Sequence, residues 1–192
     1  MTIDPRVSEV DVYPVLVPRA EFEQVVGERK PRAAINGTYF DRKYGPMGDV
    51  VAQGKILARG RQRSAIAVDS SGSLRFRRRV GRGPFDWKGF SAGLACGPML
   101  VRGGKSTGFG PFSRTLRAAR SAVGLTADGK LLLVVIPGQV TLDETARIML
   151  KLGAVDAMNL DGGASCALYS QQTLIVKPYS SMSTVLLVTD RR

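Results

Sequence analysis

Apolar residues fall in short runs broken by glycine, proline and small polar residues, which predicts many short strands rather than long helices. Arg32–Asn36, Asp49–Leu57 and Ser64–Asp69 read as strands. Val10–Val17 alternates weakly around Pro14, which predicts an edge strand or a break there. Ser64–Asp69, then Ser70-Ser71-Gly72, then Ser73–Phe76 predicts a hairpin. A second hairpin runs from Ser121–Ala127 through Asp128-Gly129 into Lys130–Ile136, and its Asp-Gly pair suits a two-residue turn. Ala157–Leu160, Cys166–Ser170, Thr173–Val176 and Thr184–Thr189 complete a β-rich tail.

Helical spacing is rarer. Ala20–Glu28 fits a short helix, and a stronger signal starts at Thr141. Thr141-Leu142-Asp143-Glu144 is a capping box, with Thr at the N-cap and Glu at N3. Leu142, Ala146, Met149 and Leu152 follow at helical spacing, and Gly153 sits where a C′ glycine belongs. Arg78–Lys88 and Arg102–Arg117 are basic and glycine-containing and read as loops, of a length that is often functional. The pattern predicts an α+β fold: one β-rich domain over residues 1–192, with a mixed or antiparallel twisted sheet and few helices. No repeat or linker divides it.

Composition narrows the chemistry. The 192 residues suffice for one domain with a sizeable core, and no apolar stretch reaches the roughly 20 residues that span a bilayer. The N-terminus MTIDPRVSEV has no apolar signal region, so the chain as given is expected to be cytosolic, or exported with its signal already removed. Net charge is +12, which attracts polyanions. There is no histidine, so Ser-His and Cys-His dyads and HExxH zinc sites are excluded. Catalysis must run on carboxylates, Arg, Lys, Tyr, Ser, Cys or backbone amides. Cys96 and Cys166 are too few for a zinc site and read as two buried free thiols, with a single disulfide the alternative. Without a histidine to activate it, Cys166 is a poor nucleophile.

The chemistry-bearing string is Asn159-Leu160-Asp161-Gly162-Gly163-Ala164-Ser165. A carboxylate, two glycines and a hydroxyl share one turn after an apolar approach. A buried carboxylate is costly unless paired or hydrogen-bonded, and glycines let backbone approach a ligand. Taken locally, the string fits a polar pocket and an Asp-capped turn equally well.

Five segments, in order, carry a resemblance. Ala33-Ala34-Ile35-Asn36-Gly37-Thr38-Tyr39-Phe40, Gly97 to Lys105, Arg120-Ser121-Ala122-Val123-Gly124, Thr141 to Glu144 and Asn159 to Ser165 resemble the motifs of the phosphodiester glycosidases related to the mannose 6-phosphate uncovering enzyme. The resemblance spans roughly Arg32 to Val188. It implies an α+β fold with a surface cavity lined by the motif residues. It also implies cleavage between the anomeric carbon and phosphate of a sugar-1-phosphodiester, typically of N-acetylglucosamine-1-phosphate. Three positions depart from the pattern: Pro137-Gly138 where the family has Asp-Gly, Ser180 where an Arg is usual, and Ala164 for a third glycine.

Hydrolysis at an anomeric carbon usually employs two carboxylates. Asp161 is the expected base or nucleophile, and Glu144 the second acid, although N3 of a capping box is also where a structural Glu belongs. Arg120 is the expected phosphate partner, its planar fork matching phosphate oxygens. Asn36 fits a sugar hydroxyl, Ser165 the phosphate or Asp161, and Gly162 and Gly163 offer amides to an anion. Gly97 joins the substrate-binding set through its motif. No cofactor is expected; Ca²⁺ at Asp161 would need two or three further acids. The expected partner is a sugar-phosphate substrate.

A rival reading is a non-catalytic module that grips a polyanion such as glycan phosphate, nucleotide or nucleic acid. It rests on the net charge and on Arg75-Phe76-Arg77-Arg78-Arg79, where Arg75, Arg77 and Arg79 would share one strand face.

Overall fold

The structure, a computed structural model, describes residues 1–6, 8–14, 22–111 and 115–191. The strands divide among three sheets, and every strand pairing in them is antiparallel. The first sheet runs β1 (Thr2–Ile3), β12 (Leu131–Val140), β11 (Ala118–Thr126), β13 (Ala154–Asn159), β9 (Met99–Arg102), β10 (Lys105–Ser106). The second runs β15 (Thr173–Val176), β14 (Leu168–Ser170), β3 (Ala33–Asn36), β16 (Thr184–Asp190), β2 (Ser8–Pro14). The third runs β5 (Lys55–Ala58), β4 (Val50–Ala52), β8 (Phe90–Cys96), β6 (Ser64–Asp69), β7 (Leu74–Arg78).

All three sheets feed one core. Val123, Leu133 and Met158 from the first meet Ile35 and Leu186 from the second and Ile66 and Leu94 from the third. Each sheet then covers its outer face differently. Helix α1 (Phe22–Arg29) packs Phe22, Val25 and Val26 on Ala34, Val185 and Leu187 of the second sheet. Helix α2 (Leu142–Lys151) packs Leu142, Ala146 and Met149 on Leu100, Ala122 and Leu132 of the first. Phe85 and Trp87 cover Val51, Ala65 and Ala95 of the third, and Gly93 leaves room for the Trp87 ring. No helix among the described residues is long and apolar enough to cross a membrane.

The capping box forms as expected. Thr141 Oγ1 accepts from the Glu144 amide at 3.2 Å, and Glu144 Oε2 accepts from the Thr141 amide at 2.8 Å. Gly153, at φ 87°, closes the helix through its amide to the Leu150 carbonyl. Thr141→Ala is expected to cost about 1 kcal/mol of stability, seen as a lower urea midpoint with an unchanged slope.

Several elements differ from the sequence reading. Asp49–Leu57 is a hairpin, β4 to β5, turning at Gln53 and Gly54 with φ of 51° and 71°. Both central residues at positive φ are what a tight hairpin turn demands, and Gln53 carries no signal of it. Strands β8 and β9 fall outside the strands that the sequence pattern predicts: from Ala92 to Cys96 every residue of β8 is buried, so alternation is absent. The loop expected over 102–117 contains β10, and its residues 112–114 lie outside those described. So do 15–17 of the expected N-terminal strand and 20–21 of the expected first helix. Pro14 ends β2 on a sheet edge, where a missing N–H costs least. Pro137 and Gly138 lie within β12 opposite a bulge between Ala118 and Arg120.

Candidate functional site

The segment Asn36-Gly37-Thr38-Tyr39 leaves β3 where the three sheets meet. The Gly37 amide donates to the Thr184 carbonyl at 2.9 Å, and the Thr38 amide to Thr184 Oγ1 at 2.9 Å, tying it to β16. Thr38 Oγ1 donates to the Ala95 carbonyl of β8 at 2.7 Å. Tyr39 OH donates to the Gly97 carbonyl at 2.5 Å and accepts from Asn159 Nδ2 at 2.8 Å, joining the ends of β8 and β13.

Asp161 hangs from this junction. Its amide donates to the Gly37 carbonyl at 3.0 Å, and its carbonyl accepts from Asn36 Nδ2 at 2.8 Å. Asn36 Oδ1 in turn accepts from Ser121 Oγ at 2.6 Å and from the Ala167 amide at 3.1 Å. Asn36 is fully buried, so it acts as a strut for the Asp161 turn, with both ends of its amide in use. Ser121, beside Arg120 on β11, completes the strut; it lay inside a quoted motif, but only the fold brings it to a residue 85 positions away.

The Asp161 carboxyl is half-buried, and burial pushes its pKa above the ordinary aspartate value, with bonds from Ser165 and the Gly162 amide pulling the other way. The Gly162 amide reaches Asp161 Oδ1 at 2.9 Å. Gly162 must be glycine because a Cβ there would lie 2.7 Å from the Ala119 carbonyl oxygen. Gly163 carries the positive φ of the turn, 61°, so alanine at 164 meets no backbone demand that it cannot satisfy. Ser165 Oγ and Ser180 Oγ lie 3.1 Å apart, which places the departure at Ser180 directly against the turn.

Arg120 is nearly buried. Its Nε donates to the Val140 carbonyl at 3.3 Å and its Nη2 to the Leu116 carbonyl at 2.8 Å, so its charge is oriented by carbonyl dipoles, and no ion pair to it is present among the described residues. Glu144 follows at the start of α2. One of its oxygens holds the cap and Arg117 bridges to the carboxylate at 3.1 Å. The Thr141 amide bond, chiefly, holds the Glu144 carboxyl below the usual glutamate range, with Arg117 adding to it. Gly162 against Ala119, Arg120 beneath Val140 and Glu144 beside Arg117 thus form a continuous path from the Asp161 turn to the helix N-terminus. No hydrogen bond joins the two carboxyls among the described residues.

Gly97 contributes backbone only: its carbonyl is taken by Tyr39, and its φ of 142° lies where glycine is favoured. Cys96 and Cys166 are buried free thiols. Burial pushes Cys96 up to about 12 and also raises Cys166, so neither is a thiolate at neutral pH. Burial likewise lifts the Tyr39 phenol, which stays a neutral donor. Among the described residues no three Asp, Glu or Cys side chains cluster as a metal site requires.

The basic strand face has a different role from the one its alternation suggested. Arg75 pairs with Asp69 at 2.7 Å, and Arg77 lies over Phe90 at 4.7 Å and over Trp87 at 5.7 Å. Arg79 donates to the Arg61 carbonyl. These arginines cover aromatic rings and brace loops, contacts that fix where their charges sit.

Comparison with known proteins agrees with this architecture. A hypothetical protein from Synechocystis superposes with a TM-score of 0.84 over 99% of this chain at 20% identity; the chain spans 58% of that protein. The catalytic domain of zebrafish N-acetylglucosamine-1-phosphodiester alpha-N-acetylglucosaminidase, auto-inhibited by its pro-peptide, superposes with a TM-score of 0.81 over 97% of this chain and 74% of its own, at 23% identity. At such identities both report on the fold. A comparison with curated protein sequences finds no match. The NAGPA family model, described as phosphodiester glycosidase, matches residues 29–189. That stretch holds every strand that suspends the Asp161 turn, and by it the chain belongs to the phosphodiester glycosidase family.

Proposed function

We propose that the protein hydrolyses the bond between the anomeric carbon and phosphate of a sugar-1-phosphodiester of the N-acetylglucosamine-1-phosphate type. The observation that carries this is the Asp161 carboxyl, half-buried on a turn hung from the junction of three sheets, with Gly162 of that turn packed on the backbone of Ala119 and Arg120. Asp161 in its ionised form takes the proton of the attacking water or attacks the anomeric carbon itself. The carbon–oxygen bond breaks, and the phosphomonoester leaves with the electron pair. A carboxylate with a raised pKa is the stronger base when ionised.

The leaving phosphate is already a stable anion and needs cationic support more than a strong acid. Arg120 supplies it, with its Nη1 used in neither of its carbonyl bonds. Glu144, kept ionised by its cap and Arg117, suits stabilisation of an oxocarbenium-like charge rather than proton donation. Ser165 and the Gly163 amide bind the phosphate, the Gly162 amide is spent on Asp161 Oδ1, and Asn36 holds the turn that presents them. Residues 1–192 act as one catalytic domain.

The test is a panel of sugar-1-phosphodiesters scored for free sugar and phosphomonoester in equal amounts. Turnover of an N-acetylglucosamine member is expected, and no turnover of any member would overturn the reading. Arg120→Lys keeps the charge but loses the fork, and is expected to lower kcat/KM about tenfold, with the loss carried mainly by kcat because the departing phosphate is less well supported.

A further inference from the structure

Tyr39 and Gly97 also form one wall of a cleft of about 620 Å³. Arg61, Arg63, Arg78 and Arg102 line it, and no carboxylate does. All four are exposed, and none pairs with an acid among the described residues. Among the other arginines, Arg6, Arg32, Arg59, Arg75 and Arg117 each meet a carboxylate, whereas Arg77 lies over aromatic rings and Arg120 is held by carbonyls. Four guanidinium groups facing one space repel one another, an arrangement that an anion relieves.

The cleft is built rather than incidental. The Arg61 amide donates to the Met47 carbonyl at 2.9 Å, and just upstream the buried Asp49 carboxylate holds the Gly60 amide at 2.8 Å and the Arg59 guanidinium at 2.9 Å. Arg63 Nη2 donates to the carbonyls of Arg79 at 3.3 Å and Gly81 at 3.2 Å, which fix it while leaving its charge uncompensated. Arg78 ends β7 of the third sheet and Arg102 ends β9 of the first, so two rigid sheets set their spacing. Asp161 does not line the cleft. Tyr39, which lines the cleft, accepts at its hydroxyl from Asn159, two residues before Asp161, so the cleft adjoins the strand end that carries the turn. The volume is that of a small-molecule site and exceeds the needs of one phosphate.

We propose that this cleft is a second anion subsite, which holds an additional phosphate carried on the aglycone of the substrate. The substrate class is then a sugar-1-phosphodiester whose leaving group is itself phosphorylated. The substrate part rests on the hydrolase reading, whereas the anion site itself does not.

Inorganic tripolyphosphate is the probe for the site, titrated calorimetrically into the wild-type protein at low and high salt. Binding that weakens steeply with salt and falls about tenfold for each of Arg78→Gln and Arg102→Gln is expected. Arg32→Gln, which removes an exposed pair with Asp190, should leave binding unchanged. No binding at low salt, or wild-type binding by the double variant R78Q/R102Q, overturns the site. Turnover of matched sugar-1-phosphodiesters with neutral and phosphorylated aglycones tests the substrate. A lower KM for the phosphorylated member, lost in the double variant, supports it; equal KM values overturn it. If no substrate turns over while tripolyphosphate behaves as expected, the hydrolase reading fails and the anion site stands.

Discussion

Asp161→Asn is expected to lower kcat/KM by roughly 100- to 10,000-fold, the usual share of a positioned base, while leaving the melting temperature at pH 7 equal to or above that of the wild type. The two halves of this expectation share one cause. Burial raises the carboxyl pKa in the folded chain above its unfolded value of 3.8. The folded state therefore binds the proton more tightly, and stability falls as pH rises from about 4 through the folded pKa. Above the folded pKa that loss is complete. Asparagine is nearly isosteric and cannot ionise, so the variant escapes the loss while its amide can still accept the Gly162 bond at 2.9 Å. Below the unfolded pKa the two proteins should converge. Thermal melts of both proteins across pH 3–8 read this directly. A variant that is inactive and also less stable at pH 7 would mean that Asp161 is a structural turn residue.

Glu144 offers the opposite sign. Its carboxyl pKa is lowered, so its contribution is present above the ordinary glutamate value and disappears as pH falls through the folded value. The charge that makes Glu144 useful to α2 also keeps it ionised beside the site.

What could be read from the sequence divides along the range of the interactions. The α2 helix was legible because Thr141, Glu144 and Gly153 each act on backbone within one turn of themselves. Ser64–Asp69 and Thr173–Val176 were legible because polar or glycine-containing turns bound them. Strand β8 was not, since a strand buried on both faces has no alternation to detect. The Arg75–Arg77 alternation was correctly placed on one face, but its meaning depended on Phe85 and Trp87, which approach from a loop that sequence could only describe as basic, and on Phe90 at the start of β8. The site shows the same division. Asp161, Gly162 and Arg120 stood out as motif residues. Tyr39 bonded to Gly97 and Asn159, and Ser121 bonded to Asn36, span separations of 58, 120 and 85 residues, and only the meeting of three sheets brings them together.

That meeting makes Gly37→Ala the second large effect. A Cβ on Gly37 would overlap Thr184 Oγ1 and lie 2.8 Å from the Thr184 carbonyl oxygen, which already accepts the Gly37 amide. Neither group can yield freely. Thr184 is fully buried, and its Oγ1 also accepts from the Thr38 amide at 2.9 Å. The strands β3 and β16 must therefore separate at this point, at a cost of about 1–3 kcal/mol and a melting temperature lower by roughly 2–12 °C. The Gly37 carbonyl holds the Asp161 amide at 3.0 Å, so the same shift displaces the turn and should reduce turnover by more than the lost stability explains. Gly27→Ala is the matched control. It sits exposed within α1 with nothing within 4 Å of the added Cβ, and is expected to stabilise by about 0.5–1 kcal/mol. One methyl group added at two glycines should thus move the melting temperature in opposite directions. A wild-type melting temperature and turnover in Gly37→Ala would show that the junction tolerates a spread that its hydrogen bonds argue against.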